Sequence, residues 1–566
     1  MQDYEESVSF LGNWGPFQRK IFFVLLIACI PSGYSTLAVI FLLASPTHQC
    51  SIPANSNLSQ EWIQASIPVQ VSGMSERSTC SRYELNLVKN LSAMGASTNW
   101  IQNHSLPGLN SEVLVPTLNQ EECEDGWTYS TEFYQSTVVT EFDLVCREQW
   151  KQPLTSLLFF LGGTCGCFIS GQISDRFGRK PVLFGCIGML SIFTVAAAFA
   201  QSWPVFAFCF FMLGVGQISG YVIVFVLGSE IFVGSTRIIF STLWLNAGYA
   251  LAMMLMSATA YLVRSWRYLS LLMAVPGLAC IPLWWLIPES PRWLVSCGCL
   301  NKADLIVRSA ALENRVKAPS VIFTTTEVRM STKSHSFLDL LKTTNIQHVT
   351  MKLWFMWFSS YLAYFGLIFS MSSLYGNPYL NHFLLATVEI PAYLVSWLLT
   401  QNFPRRLCFI SFVLLGALAL LCTQIVTDSH PAVIMFLVLL SKFGVLTGIG
   451  VLYVYSGELF PTVIRNTAMS SCAMFTRVGS SVSPYLMELV GIFEFLPSIL
   501  MGALLLLSVL LCIFLPETFR QPLPDTIQQM PLMRWWSLPF NSPSKDEEKS
   551  TKEQISVPEV ICTSHL

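Results

Sequence analysis

The sequence predicts an all-α membrane protein whose twelve transmembrane helices form two six-helix bundles. Three observations predict it. Of 566 residues, 53% are hydrophobic and only 12% charged, against about 25% charged in a soluble domain. Twelve apolar runs approach the roughly 20 residues that cross a bilayer. The second half also repeats landmarks of the first. Glu230 stands seven residues before Arg237 in "SEIFVGSTR", and Glu458 seven before Arg465 in "GELFPTVIR". "PES" at 288–290 and "PET" at 516–518 close the halves, and each pair is offset by 228 residues. Two six-span halves of parallel topology suit a molecule that rocks around a central site.

The spans are expected near 21–43, 153–172, 181–200, 204–229, 238–262 and 268–287, then 349–370, 379–400, 407–426, 432–456, 466–490 and 496–515. This gives an N-terminal segment (1–20), a first bundle (21–288) with a long loop at 44–152, a connecting loop (289–348), a second bundle (349–516) and a tail (517–566). Arg19 and Lys20 precede the first run, and no cleavable signal is evident, so the N-terminus is expected in the cytosol. The basic residues of 289–348, with Arg176, Arg179, Lys180, Arg405 and Arg406 in short loops, put those segments on the same side, and both termini with them.

Loop 44–152 is expected outside. It holds Cys50, Cys80, Cys123 and Cys146 beside glycosylation sequons at Asn57, Asn90 and Asn103. Four such cysteines imply two disulfides, with all three connectivities open. The net charge of −2 gives no reason to expect nucleic acid as a partner. No P-loop, metal-ligand cluster or nucleophile with a base is found, so neither an enzyme, a cofactor nor a metal is assigned.

The motifs carry a resemblance. "GQISDRFGRK" (171–180) resembles the gating motif of the major facilitator superfamily, and Pro404, Arg405 and Arg406 resemble its second-half remnant. With "PESPRWL" (288–294), "EIPAY" (389–393) and "ELFPTVIRN" (458–466), the chain is similar to the organic cation/anion/zwitterion solute carriers. "NWGPFQR" (13–19), "RIIFSTL" (237–243) and "PLPDTIQQM" (522–530) point to the carnitine/organic cation branch. The resemblance implies a plasma-membrane carrier of small organic ions, foremost carnitine-like or ergothioneine-like zwitterions. Where carnitine and ergothioneine transporters have asparagines, this chain has Ser32 and Gly220. Sodium is therefore only a candidate coupling ion. "LIFSMSSLYGNPYL" (367–380) departs from the branch as well.

Three charges fall at mid-depth, all in the second half. Arg477 lies twelve residues beyond Arg465, about 18 Å along a helix in a core about 30 Å thick. Lys442 and Glu389 each lie about 11 residues into their spans by the same helical rise. A mid-membrane charge needs a partner or water. Glu389 paired with Lys442 or with Arg477 is one reading. A cavity is the other, favoured for Arg477 by its small neighbours Gly479, Ser480, Ser481 and Ser483. The resemblance agrees, since its organic-cation members carry aspartate where Arg477 stands and carboxylate carriers carry arginine. A guanidinium forks onto a carboxylate, and aromatic faces hold an ammonium. Tyr221, Phe225, Trp357, Tyr361, Tyr364, Phe365, Tyr453 and Tyr455 are available. Tyr221, Trp357 and Tyr453 come first because the resemblance turns them to the cavity. The expected substrate residues are Arg477, Tyr221, Trp357, Tyr361, Tyr453, Glu389 and Lys442.

Asp175, Arg176, Gly178 and Arg179, with Glu230/Arg237 and Glu458/Arg465, are expected as ion-pair latches that gate the cytosolic mouth. Positive-inside anchoring alone explains the arginines but not the two matching carboxylates. The ending Ser564–His565–Leu566 is a candidate ligand for a PDZ groove. Competing functions are a polyspecific organic cation or anion facilitator, and a receptor-like or scaffold relative without transport.

Overall fold

In a bilayer, backbone polar groups must bond within their own segment, so apolar runs become helices. The computed structural model describes residue 4 and residues 7–53, 56, 58–72, 74–94, 120–323, 344–371, 374, 376–426, 430–461, 464–491, 493 and 495–519. Asn57, Asn103 and the ending Ser564–Leu566 lie outside these.

Among the described residues, eleven helices are long and apolar enough to cross a membrane. They are Pro16–Leu42, Cys146–Phe177, Arg179–Ala198, Trp203–Ile231, Gly234–Leu262 and Trp266–Trp285, then Ile346–Ser370, Pro378–Asn402, Arg405–Cys422, Pro431–Leu459 and Leu496–Ile513. Another long helix, Arg465–Glu488, falls between the last two. Its arginines and serines make it too polar to register by apolar content, yet it packs against the seventh and second helices. The helices are numbered below as spans 1–12 in chain order, with Arg465–Glu488 as span 11.

The packing repeats as the sequence does. Span pairs 1–5, 2–4, 3–4, 3–6, 1–4 and 1–6 are in contact, and so are 7–11, 8–10, 9–10, 9–12, 7–10 and 7–12. Each pair in the first half recurs six spans later. Some crossings are close enough to need glycine. A Cβ on Gly162 of span 2 would lie 2.1 Å from the Phe211 carbonyl of span 4, and one on Gly214 would lie 2.1 Å from that of Phe159.

The loop between spans 1 and 2 is a small disulfide-linked unit. Its described residues include three two-stranded antiparallel sheets: β1 (His48–Cys50) with β6 (Trp127–Tyr129), β2 (Val69–Ser72) with β3 (Met74–Arg77), and β4 (Ser81–Tyr83) with β5 (Gln120–Glu122). Cys50 bonds Cys123, and Cys80 bonds Cys146, which selects one of the three open connectivities. Trp62, Tyr83, Val88 and Leu91 form a local core. Arg82 is buried among Glu121, Asp125 and the Ser51 carbonyl. Asn90 is exposed.

At the opposite end, part of the expected connecting loop folds back on the first half. Helices Pro291–Ser296 and Leu300–Glu313 pack with Val8 and Leu11 of the N-terminal segment. Asn314 donates to the Leu11 carbonyl and to Gln18, and accepts from the Phe17 amide.

The two halves close on each other at the loop end. Tyr379 of span 8 stacks on Phe41 of span 1, with centroids 5.6 Å apart, and its hydroxyl donates to the Phe133 carbonyl at 2.9 Å. Gln149 donates to Glu488 of span 11. Phe160 of span 2 meets Phe365 of span 7 edge-on at 4.9 Å.

Candidate functional site: a central cavity and two matched latches

Beneath Phe160 and Phe365 lies a cavity between the halves, about 680 Å³ counted out to its opening. Spans 1, 4 and 5 contribute Thr36, Gln217, Tyr221, Asn246 and Tyr249, while spans 7, 8 and 11 contribute Tyr361, Tyr364, Tyr393 and Arg477. Arg477 is half-buried on the cavity wall. Among the described residues it forms no ion pair with a carboxylate. The serines beside it bond inward to their own helix, Ser480 to the Thr476 carbonyl and Ser483 to that of Ser480.

Three groups of expected site residues land differently. Glu389 and Lys442 do not line the cavity. Lys442 Nζ lies 2.7 Å from Glu389 Oε1, the side chains are 1% and 0% exposed, and Glu389 Oε1 also accepts from the Tyr364 hydroxyl at 2.7 Å. Two charges taken out of water keep the ionised state only by meeting each other, so this pair ties span 8 to span 10. Trp357 is also withdrawn. It is 5% exposed, and its indole N–H donates to Ser456 Oγ at 3.0 Å. Tyr453 lies outside the ring of lining residues, facing Phe225 across the halves at 6.3 Å, yet is 42% exposed and so borders open space. Tyr455 is buried with its hydroxyl on the Pro516 carbonyl.

Tyr221 and Tyr361 do line the cavity, and the Tyr221 hydroxyl is oriented by Asn246 Oδ1 at 2.8 Å. Sequence reasoning missed Thr36, Gln217, Asn246, Tyr249 and Tyr393. The signal for Gln217 and Asn246 was present, as an amide in an apolar span needs a polar reason to be there. Tyr249 and Tyr393 carried none, since a span tyrosine reads equally as packing. Ser32 and Gly220 pack on each other: a Cβ on Gly220 would lie 3.0 Å from Ser32 Oγ.

The expected latches are two charge clusters at the end opposite the disulfide-linked loop, the first with three carboxylates and the second with two. Arg179 forks onto Glu230 at 2.9 Å and reaches Asp175 at 2.6 Å. Glu289 of "PES" accepts from the backbone amides of Arg179 and Lys180, which begin span 3. The second half repeats this. Arg405 forks onto Glu458 at 3.1 Å, and Glu517 of "PET" accepts from the amides of Arg405 and Arg406, which begin span 9. A carboxylate at a helix N-terminus meets unsatisfied N–H groups and the positive end of the dipole. Gly178 makes room for the first cluster. Its φ is +106°, and a Cβ there would lie 2.5 Å from Glu289 Oε2. The sequence spacing paired each carboxylate with the arginine seven residues on. In the structure Glu230 and Glu458 are held by Arg179 and Arg405, while Arg237 and Arg465 donate to the carbonyls of Phe232 and Phe460. Arg176 is exposed and in no ion pair with a described residue.

A family model described as "Sugar (and other) transporter" matches residues 113–529. Over 535 residues the chain is 44% identical to organic cation/carnitine transporter 2 of Homo sapiens, covering 94% of each. It belongs to the major facilitator superfamily, in its organic cation/carnitine branch. Solute carrier family 22 member 4 of Mus musculus is 41% identical over 562 residues, 98% of this carrier and 100% of that one. The fold of the carrier is shared with the xylose transporter XylE from E. coli in its inward open conformation, with a TM-score of 0.59 at 15% identity over 89% of this chain and 98% of that one. The family is one of multi-pass membrane carriers for small substrates, and not of enzymes.

Proposed function

We propose that this carrier moves carnitine-like or ergothioneine-like zwitterions across the plasma membrane by alternating access. The observation that carries the reading is Arg477, a guanidinium on the wall of the central cavity with no carboxylate partner among the described residues. Glu389 and Lys442 cancel each other nearby, so the cavity wall is left positive. A carboxylate neutralises it through two parallel hydrogen bonds, while Tyr361 and Tyr393 offer ring faces to an ammonium. The relatives named for organic cations and carnitine support the same class.

The basic residues at the latch end support a cytosolic location for that end and both termini. On that assignment the closed loop end faces outward. The latches hold the ends of spans 2–3 and 8–9 to spans 4 and 10, so each half tilts as one body. Sodium is the candidate coupling ion, Asn90 a glycan acceptor, and the C-terminal Ser564–Leu566 a PDZ ligand.

The test is uptake of radiolabelled carnitine in expressing cells, with and without sodium, in the wild type and in Arg477→Ala. Loss of uptake in the variant with surface expression retained is expected. Saturable uptake of tetraethylammonium alone, untouched by Arg477→Ala, would overturn the reading in favour of an organic cation facilitator.

A further inference from the structure

Gln217 is the most deeply buried amide on the cavity wall, 1% exposed in the middle of span 4. Its Nε2 faces the Ser32 carbonyl at 2.9 Å, with Thr36 Oγ1 and the Tyr249 hydroxyl each at 3.0 Å. The Ser32 carbonyl is an acceptor only, so it fixes which end of the amide points there. The other end, Oε1, is left without a hydrogen-bond partner. The hydroxyls of Thr36, Tyr249 and Tyr221 on the same wall are engaged elsewhere. Thr36 donates to the Ser32 carbonyl or bonds Tyr249, and the Tyr221 hydroxyl donates to Asn246. A buried acceptor without a donor is costly, and a donor arriving with a ligand relieves that cost.

We propose that Gln217 is a specificity-determining residue whose Oε1 accepts a hydrogen bond from a hydroxyl or N–H group of the substrate. The proposal rests on the zwitterion reading above. Arg477 and Gln217 line the same cavity from opposite halves, with Tyr249, whose hydroxyl bonds Gln217, also on its wall. A substrate carrying a hydroxyl close to its carboxylate engages both halves at once. A site built around a donor rejects an analogue that lacks it far more strongly than a greasy pocket rejects a missing methylene.

The experiment compares three ligands as inhibitors of labelled carnitine uptake by the wild-type carrier: carnitine, its 3-deoxy analogue and the isosteric 3-fluoro analogue. Both donorless analogues are expected to be weaker by about tenfold or more. In Gln217→Met the preference is expected to collapse to about one. Equal potency of all three in the wild type overturns this inference and leaves the role of Arg477 standing. So does a preference that survives in Gln217→Met. Absence of carnitine uptake by the wild type overturns the proposed function and this inference together. Equal potency in the wild-type series overturns the inference even if the variant does not reach the surface.

Discussion

Lys442 and Glu389 meet 2.7 Å apart, both buried, and so withdraw from the cavity the two charges that stand nearest in depth to Arg477. The pair leaves Arg477 as the mid-depth charge on the cavity wall without a carboxylate partner among the described residues. Breaking it by removing one partner strands the other, at a cost of about 3–5 kcal/mol. Lys442→Met or Glu389→Gln alone is expected to lower the unfolding temperature of the purified carrier in detergent. The double variant is expected to recover most of the loss. A double variant as unstable as the worse single one would contradict a mutual pair.

Arg477→Lys keeps the charge but replaces the planar fork with a point charge. Carnitine uptake is expected to fall about tenfold or more, through the apparent KM rather than surface expression, with Arg477→Ala lower still. Concentration-dependent uptake normalised to surface protein measures this. Wild-type kinetics in the lysine variant would mean that the fork is not used.

Gly178→Ala places a methyl group against Glu289 Oε2 in a left-handed backbone conformation, a strain of about 1–3 kcal/mol. Transport and thermal stability are both expected to drop. Gly185→Ala in span 3, where a Cβ meets nothing within 4 Å, is the matched control and is expected to be neutral or slightly stabilising.

Glu141, at the foot of the disulfide-linked loop, accepts from Arg267 and from the Trp266 indole. Burial pushes its carboxyl pKa up, but the hydrogen bonds from Arg267 and Trp266 outweigh that and hold it below the usual carboxylate range. The contribution is therefore present above the unfolded pKa of about 4.3 and fades as pH falls through the lower folded value. Wild-type unfolding temperature is expected to decline below about pH 4, and Glu141→Gln to remove part of that slope. A slope identical in the variant would show that Glu141 does not contribute.

Replacing Cys50 and Cys123 together is expected to leave the Cys80–Cys146 bridge intact in peptide mapping without reduction. A Cys80–Cys146 bridge lost in that variant would contradict the pairing.

The sequence by itself determined the twelve spans, the two-fold repeat and the family, because span length, apolar content and motif spacing are local properties of the chain. It also placed Arg477 at mid-depth, since rise per residue depends on helix geometry alone. Tertiary structure decided who meets whom. Glu389 had two possible partners by depth, and only the packing of span 8 on span 10 chose Lys442. Glu230 had an arginine seven residues away, yet the chain brings Arg179 to it from 51 positions off. Trp357 and Tyr453 share the aromatic character of Tyr361, but helix rotation turned one into the core and one toward open space. Spacing along a helix fixes depth and face; which face looks into the cavity is set by how the other eleven helices pack around it.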